Sequence, residues 1–352
     1  MSGPLVLAVE TSCDETGVAI VEGGRRIHSN VVASQVALHA PTGGIVPEVA
    51  ARAQLRWILP VLDAALTDAG CSVRDVDAVA VTRGPGLIGS LLVGVSLAKA
   101  IAHVHDRPLV GVNHLEGHAL AAWLLDPGAP DRDPPPLPAI ALVVSGGHTL
   151  LVELRPGLDH RRLGSTIDDA AGEAFDKVGR LLGLAYPGGP SIERAAAGAT
   201  RRDRRMPRAW LGGTLDFSFS GLKTAMVRTV REARADHGLA DGDALPGDLV
   251  AELAWGFQDA VVDVLVSKTI RALEASDGRT IVVGGGVAAN GELRSRLRAA
   301  ATAEGVEVVI PRPGLCTDNG AMIGAAAAGR LRAGELAGLD LEARPSLPFG
   351  SP

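Results

Sequence analysis

Two segments in different halves of this chain repeat one device: an apolar run, a polar turn, and a second apolar run. Leu5–Glu10 and Gly17–Val21 flank Thr11-Ser12-Cys13-Asp14-Glu15-Thr16, and Ala139–Val144 and Thr149–Leu154 flank Ser145-Gly146-Gly147-His148. A short continuous apolar run bounded by turn residues reads as a strand buried on both faces. Each segment therefore reads as a hairpin, and one hairpin opening each half points to a duplicated domain.

The rest of the chain alternates strands and helices, which rules out all-α and all-β folds. Helical spacing covers Pro47 to Leu66, Leu87 to Ala102, His114 to Leu125, Leu249–Leu273 as an amphipathic helix, Gly291–Thr302, and Asp318 to Leu331. Ala78–Val81, Leu109–Val112, Thr280–Val283 and Val306–Ile310 read as buried strands. The proline-rich stretch Asp126–Pro138 reads as a surface linker. The expected division is 1–127 plus 319–352 as one domain, 139–318 as the second, and 128–138 as the linker.

Composition narrows the function classes. A 352-residue chain with 47% hydrophobic residues has ample core for two domains. At a net charge of −6 with 3% aromatics, it carries no global basic field and no stacking platform for single-stranded bases. Any nucleic-acid contact must come from a local patch, for which Arg201–Arg208 is the candidate, or from a partner. Cys13, Cys71 and Cys316 form no C-x-x-C pair, which fits a reducing compartment. The expectation is a cytoplasmic protein without a secretory leader or a membrane span.

Asn113-His114-Leu115-Glu116-Gly117-His118 sets two imidazoles at i and i+4 on one helix face, where both reach one metal. The alternative is a pair of ordinary core or surface histidines. Glu116 is turned away from that face, so the general base of a zinc peptidase is missing. Asp318 stands at a strand-to-helix junction, either as a third ligand or as a helix N-cap. Two histidines and a carboxylate suit Fe(II) or catalytic Zn(II).

The turns at Asp14-Glu15-Thr16-Gly17 and Ser145-Gly146-Gly147-His148-Thr149 offer amides and hydroxyls to phosphate oxygens, and as a pair they resemble the phosphate loops of the actin-like ATPase superfamily. Gly284-Gly285-Gly286-Val287-Ala288-Ala289 matches a dinucleotide-binding fingerprint only formally, because Glu307 begins the next strand rather than ending it. An adenosine-binding turn with Asn290 as a polar contact is the preferred reading. Asp168–Lys177 reads as an acidic helix start, and Tyr186-Pro187-Gly188-Gly189-Pro190 as a turn suited to ribose or phosphate.

These blocks, in this order, resemble the TsaD family of tRNA N(6)-adenosine threonylcarbamoyltransferases. The resemblance runs from about Leu5 to Leu331 and includes ETSCDETGVAIV, GGIVPEVAARAQ, RGPGLIGSLLVG, NHLEGH, VVSGGHTLLV, DDAAGEAFDKVGRLLGL, YPGGP, FSFSGLKTA, GGGVAAN and CTDNGAMI. It implies a two-domain actin-like ATPase fold, a duplicated α/β fold with central mixed sheets flanked by helices. It also implies one divalent metal on His114, His118 and Asp318, with Fe(2+) ahead of Zn(2+). The implied adenylate-binding positions are Val143, Val144, Ser145, Gly146, Gly147, Asp176, Gly189, Glu193 and Asn290. Val143 stands where archaeal and eukaryotic relatives carry a tyrosine, and Glu193 where many relatives have aspartate.

The implied reaction moves a threonylcarbamoyl group from threonylcarbamoyl-AMP to the exocyclic amine of adenosine 37 in tRNAs reading codons that begin with adenine. Asp14 and Glu15 are the candidates to position that amine or accept its proton. The implied partners are a TsaB paralogue and the TsaE ATPase, with a homodimer when the chain is alone. The small-residue helix near Leu87–Ala102 is expected at the paralogue interface, with Gly94 as its probe. The alternative function is a kinase or ATPase of the same superfamily acting on a small metabolite.

Overall fold

A computed structural model of the protein describes residues 3–240 and 242–351. Strands β1 (Leu5–Glu10), β2 (Glu15–Glu22) and β3 (Arg26–Ser34) come first, then helix α1 (Pro47–Ala69). They are followed by β4 (Ala78–Gly84), α2 (Ile88–Val104), β5 (Leu109–Asn113) and the short α3 (His114–Leu120). Next come β6 (Ala139–Val144), β7 (Thr149–Leu154), β8 (Arg161–Ser165), α4 (Ala171–Leu181) and α5 (Gly188–Ala197). The long helices α6 (Ser220–Asp236) and α7 (Gly247–Glu274) precede β9 (Thr280–Gly284), α8 (Gly291–Ala303), β10 (Glu307–Val309) and α9 (Gly320–Ala333).

These elements form two compact units. One comprises residues 1–137, 154–161 and 311–352, the other residues 138–153 and 162–310. The first holds a sheet in the order β3-β2-β1-β4-β5, the second a sheet in the order β8-β7-β6-β9-β10. Counted by appearance within its unit, each sheet reads 3-2-1-4-5, so the duplication expected from the two hairpins is present in the topology. β4 and β5 run parallel to β1, as β9 and β10 do to β6.

The unit boundaries differ from the expected division. Residues 311–318 and 154–161 pack with the first unit, and so does the proline-rich segment. That segment is pinned by ion pairs and hydrogen bonds: Asp131 accepts from Arg26 at 2.5 Å, and the Arg132 carbonyl accepts from Arg25.

In the first unit, the alternation of β1 explains how one strand serves two cores. Val6 and Ala8 face α9 through Met322, Ile323 and Ala326, whereas Leu7 and Val9 face α1 and α2 through Ile58, Val61, Val95 and Ala98. All four strand residues are fully buried, hence the continuous apolar run. In the second unit, Phe175 of α4 meets Phe257 of α7 edge-on at 5.2 Å. Helix α7 is buried around most of its circumference rather than along one face, so the amphipathic expectation is corrected.

Candidate metal centre and adenylate site

The first unit gathers His114, His118 and Asp318, whose ligand atoms all lie within 4.8 Å of one another. Helix α3 holds the two rings at i and i+4, with centroids 4.7 Å apart. Its start is set by Asn113, whose Oδ1 accepts from Leu115 N–H at 3.0 Å while its Nδ2 donates to the Pro348 carbonyl at 2.7 Å. The helix stops at Leu120 and continues as a 3-10 turn, short of the expected Leu125.

Asp318 lies before α9, and its neighbour Asn319 is the N-cap, accepting from Met322 N–H at 3.1 Å. The capping alternative for Asp318 is thereby removed. The aspartate is delivered by a close backbone approach: a Cβ on Gly320 would sit 2.6 Å from Ala19 N of β2, so only glycine lets the helix start dock there.

Asp318 Oδ1 is 3.0 Å from His118 Nε2 and 3.6 Å from His114 Nε2. The His118 ring is fully buried, yet neither of its nitrogens makes a hydrogen bond; the 3.0 Å approach is close but not aligned as one. A buried imidazole without a hydrogen-bond partner beside a carboxylate is the arrangement that a coordinated cation satisfies. Burial opposes protonation of His114, but the carboxylates of Asp318 and Glu10 outweigh it and raise its imidazole to about 9.

The turn carrying Asp14 and Glu15 belongs to the same unit. Gln54 of α1 clamps it, donating to the carbonyls of Cys13 at 3.0 Å and Glu15 at 2.8 Å and accepting from Thr16 Oγ1. Burial raises Glu15 to about 8, with Asp14 and Asp318 adding to the rise against the hydrogen bond from Ser34. Burial and Asp318 raise Asp14 as well. Both candidate bases thus lie within the electrostatic reach of Asp318, the candidate third ligand. Glu116 does not: it is buried in a bidentate pair with Arg330, at 2.8 and 2.9 Å, and is unavailable as a hydrolytic base.

In the second unit the expected adenylate residues are linked in one chain of contacts. β6 carries Val143 and Val144 with their side chains wholly in the core and leads into a turn where Ser145 N donates to the His148 carbonyl. Gly146 and Gly147 of that turn are exposed. The start of α4 packs on it: Gly172 N donates to the Ser145 carbonyl, and a Cβ on Gly172 would lie 2.8 Å from Gly146 N. Farther along α4, Asp176 accepts from Gly188 N at 2.7 Å, which places Gly189 in the first turn of α5 with open space beside it. Glu193 of α5 accepts from Gly291 N at 2.7 Å. Asn290 caps α8 through Leu293 N and donates to Gln258 at 2.8 Å.

Several expectations are corrected here. Tyr186–Pro190 leads directly into helix α5 rather than forming only a turn. Asp168 does not start α4; its Oδ1 accepts from Phe219 N and Ser220 N and so caps α6. Glu307, by contrast, is where the sequence places it, the exposed first residue of β10, which leaves the dinucleotide fingerprint without its acidic partner. In Arg201–Arg208 the positive charge is met only in part within the unit, and Arg201, Arg202 and Arg205 stay exposed. Arg208 pairs with Asp259 at 2.5 Å and Asp263 at 2.9 Å, Arg205 lies 3.9 Å from Asp259, and Arg201 and Arg204 lie 4.0 Å from Glu252. Gly94 faces inward, where a Cβ would strike Thr11 Oγ1, so it reports on the fold and not on an interface. Sequence reading missed Glu10, Gln54 and Arg330, whose partners are distant in the chain.

Comparison with known proteins follows the same lines. The family model described as TsaD, tRNA N6-adenosine threonylcarbamoyltransferase, matches residues 26–325. The protein of that name from Symbiobacterium thermophilum is 50% identical over 350 residues, covering 99% of this chain and 98% of its own. Its counterpart in Anaeromyxobacter dehalogenans is 51% identical over 347 residues, covering 97% and 98%. Among solved structures, HypF of T. kodakarensis aligns with a TM-score of 0.61 at 14% identity, covering 96% of this chain and 50% of that one. Component A of the (R)-2-hydroxyglutaryl-CoA dehydratase of Acidaminococcus fermentans aligns with a TM-score of 0.50 at 15% identity, covering 95% and 99%. These two likenesses concern the fold alone, that of the actin-like ATPases.

Proposed function

Because this chain belongs to the TsaD family of tRNA N6-adenosine threonylcarbamoyltransferases, we propose that His114, His118 and Asp318 hold one divalent metal, Fe(2+) ahead of Zn(2+), that serves its transfer reaction. The protein is a transferase that forms threonylcarbamoyladenosine on tRNA. The kinase alternative is not favoured, since the relatives that match along nearly the whole chain carry the transferase name. The observation that carries the metal reading is the pair of hydrogen-bond-free nitrogens on buried His118, next to Asp318.

Threonylcarbamoyl-AMP is the donor in this reading, and adenosine 37 of tRNAs reading codons that begin with adenine is the acceptor. When bound, the metal supplies Lewis acidity toward a carbonyl of the donor. The exposed Gly146–Gly147 turn offers its amides to the phosphate, where oriented N–H groups stabilise negative charge. Asp176, Gly189, Glu193 and Asn290 hold the adenosine portion, and hydrogen bonds to neighbouring residues fix three of them before any ligand arrives: Asp176 to Gly188 N, Glu193 to Gly291 N and Asn290 to Gln258. Glu15, raised to about 8, lies close to the pH at which a general base works, so it takes the proton from the acceptor amine while Asp14 orients that amine.

The paralogue TsaB and the ATPase TsaE complete the system in the cytoplasm. No described helix is long and apolar enough to cross a membrane. The paralogue's docking face is the exposed apolar pair of rows Leu55/Leu59 on α1 and Ile88/Leu92 on α2, all between 49% and 65% exposed. Ala51 and Gly89 bring the two helices into contact beside these rows, and a second copy of the chain uses the same face when the paralogue is missing.

Reconstitution tests the reading. Purified partners, labelled threonine, bicarbonate, ATP and tRNA should yield labelled tRNA with the wild type and none with His114→Ala or Asp318→Ala at intact fold. Equal labelling by both variants rejects the assignment.

A further inference from the structure

We propose that Glu10 is a positioning residue for the metal ligand His114, setting both its tautomer and its orientation. The proposal rests on the metal reading above and adds a residue that the ligand set does not include.

Glu10 ends β1 and is fully buried. Its Oε1 accepts from Ser12 N–H at 2.5 Å and its Oε2 from Thr82 Oγ1 at 2.6 Å. Oε2 also lies 3.1 Å from His114 Nδ1, and Ser12 Oγ lies 3.1 Å from the same nitrogen. Both carboxyl oxygens already accept hydrogen bonds, so Glu10 meets Nδ1 as an acceptor. The Nδ1 atom then carries a hydrogen, which leaves Nε2, 3.6 Å from Asp318, as the nitrogen that offers its lone pair to a bound cation.

A carboxylate taken out of water is costly unless a positive charge compensates it. Among the described residues, no lysine or arginine pairs with Glu10; its one ion-pairing partner is His114. The charge count gives the arrangement a purpose. Two neutral imidazoles, Asp318 and Glu10 together carry the two negative charges that balance a divalent cation. Glu10 contributes its share through the ring. His118 has no such support on either nitrogen, so the set is braced from one side only.

The test measures Zn(2+) affinity by chelator competition in the full chain, for wild type, Glu10→Gln, His114→Ala and the double variant. Glu10→Gln should weaken binding about 10- to 100-fold, the range for loss of a residue that orients a ligand. In the His114→Ala background the same change should cost less than about twofold, because Glu10 acts through that ring. Co(2+) spectra should show an altered ligand field in Glu10→Gln, a signature that lost stability alone does not produce. If Glu10→Gln fails to fold, Thr82→Val removes the donor that steadies Oε2 and should weaken binding several-fold, again only when His114 is present. Unchanged affinity in the folded variant, or an equal loss without His114, overturns the role of Glu10. A wild type that binds no Zn(2+), Co(2+) or Fe(2+) overturns the metal reading itself, which is a separate failure.

Discussion

Raising the pH of the metal-free protein should destabilise it, and His114 should carry a separable share of the loss. The raised imidazole is a stabilising feature only while its extra proton stays on. Asp318 and Glu10 lift it from the ordinary 6.5 to about 9 against the opposing effect of burial. A raised folded-state value gives a contribution fully present below 6.5 and lost as the pH climbs through 9. At about 1.4 kcal/mol per pH unit the loss comes to about 3 kcal/mol. Glu15, raised to about 8, acts with the same sign between its ordinary 4.5 and 8, and Asp14 is raised as well, so the Glu15→Gln background removes one competing slope and the His114 share is what His114→Ala takes away. Urea unfolding of the metal-free Glu15→Gln protein at pH 6.5, 7.5 and 9 gives the slope, and adding His114→Ala should flatten it. With metal present the trend reverses: the ion displaces one proton, and affinity should tighten about tenfold per pH unit up to about 9. A metal-free protein equally stable at pH 6.5 and 9, or a slope unchanged by His114→Ala, refutes the electrostatic account of the site.

Further outcomes follow from single contacts. Arg330→Met leaves the buried Glu116 carboxylate unpaired and should cost about 3–5 kcal/mol in chemical denaturation, whereas an Arg330→Met, Glu116→Leu pair should recover most of it. Leu92→Arg should abolish co-purification of the paralogue while the melting temperature stays near wild type. Gly94→Leu should instead lower that temperature, because Thr11 occupies the space. The pH profile of transfer should rise with a midpoint at or below about 8, since a nearby cation lowers Glu15, and Glu15→Gln should remove that limb. An unchanged profile assigns the proton to another group.

Much of the fold was legible because the central strands are buried on both faces. β1, β4, β6 and β9 are continuous apolar runs ended by turn residues, and no helix pattern competes for them. β3 was missed because its nine residues mix Arg26, His28, Ser29 and Asn30 with apolar ones, as an edge strand with partly exposed positions does. α5 was hidden by Pro187-Gly188-Gly189-Pro190, which spells a turn, although proline is tolerated in a helix's first turn, where its missing N–H has no partner to lose. The grouping of His114, His118 and Asp318 was readable from the i, i+4 spacing and the neighbouring blocks. Their support was not. Glu10 meets Thr82 and His114, and Glu116 meets Arg330, across separations that no local pattern records. Asp318 and Asn319 are adjacent polar residues at one junction, and only the backbone shows that the second caps the helix.

The central claim is that a metal on His114, His118 and Asp318 serves threonylcarbamoyl transfer to a tRNA adenosine. Its most direct test is a single-turnover reaction with threonylcarbamoyl-AMP, the partner proteins and tRNA, scored by mass spectrometry of the digested nucleosides. Protein stripped by a chelator should form no threonylcarbamoyladenosine, and one equivalent of Fe(2+) or Zn(2+) per chain should restore it in the wild type but not in Asp318→Ala. Full product formation by the stripped protein, or equal restoration in the variant, contradicts the account.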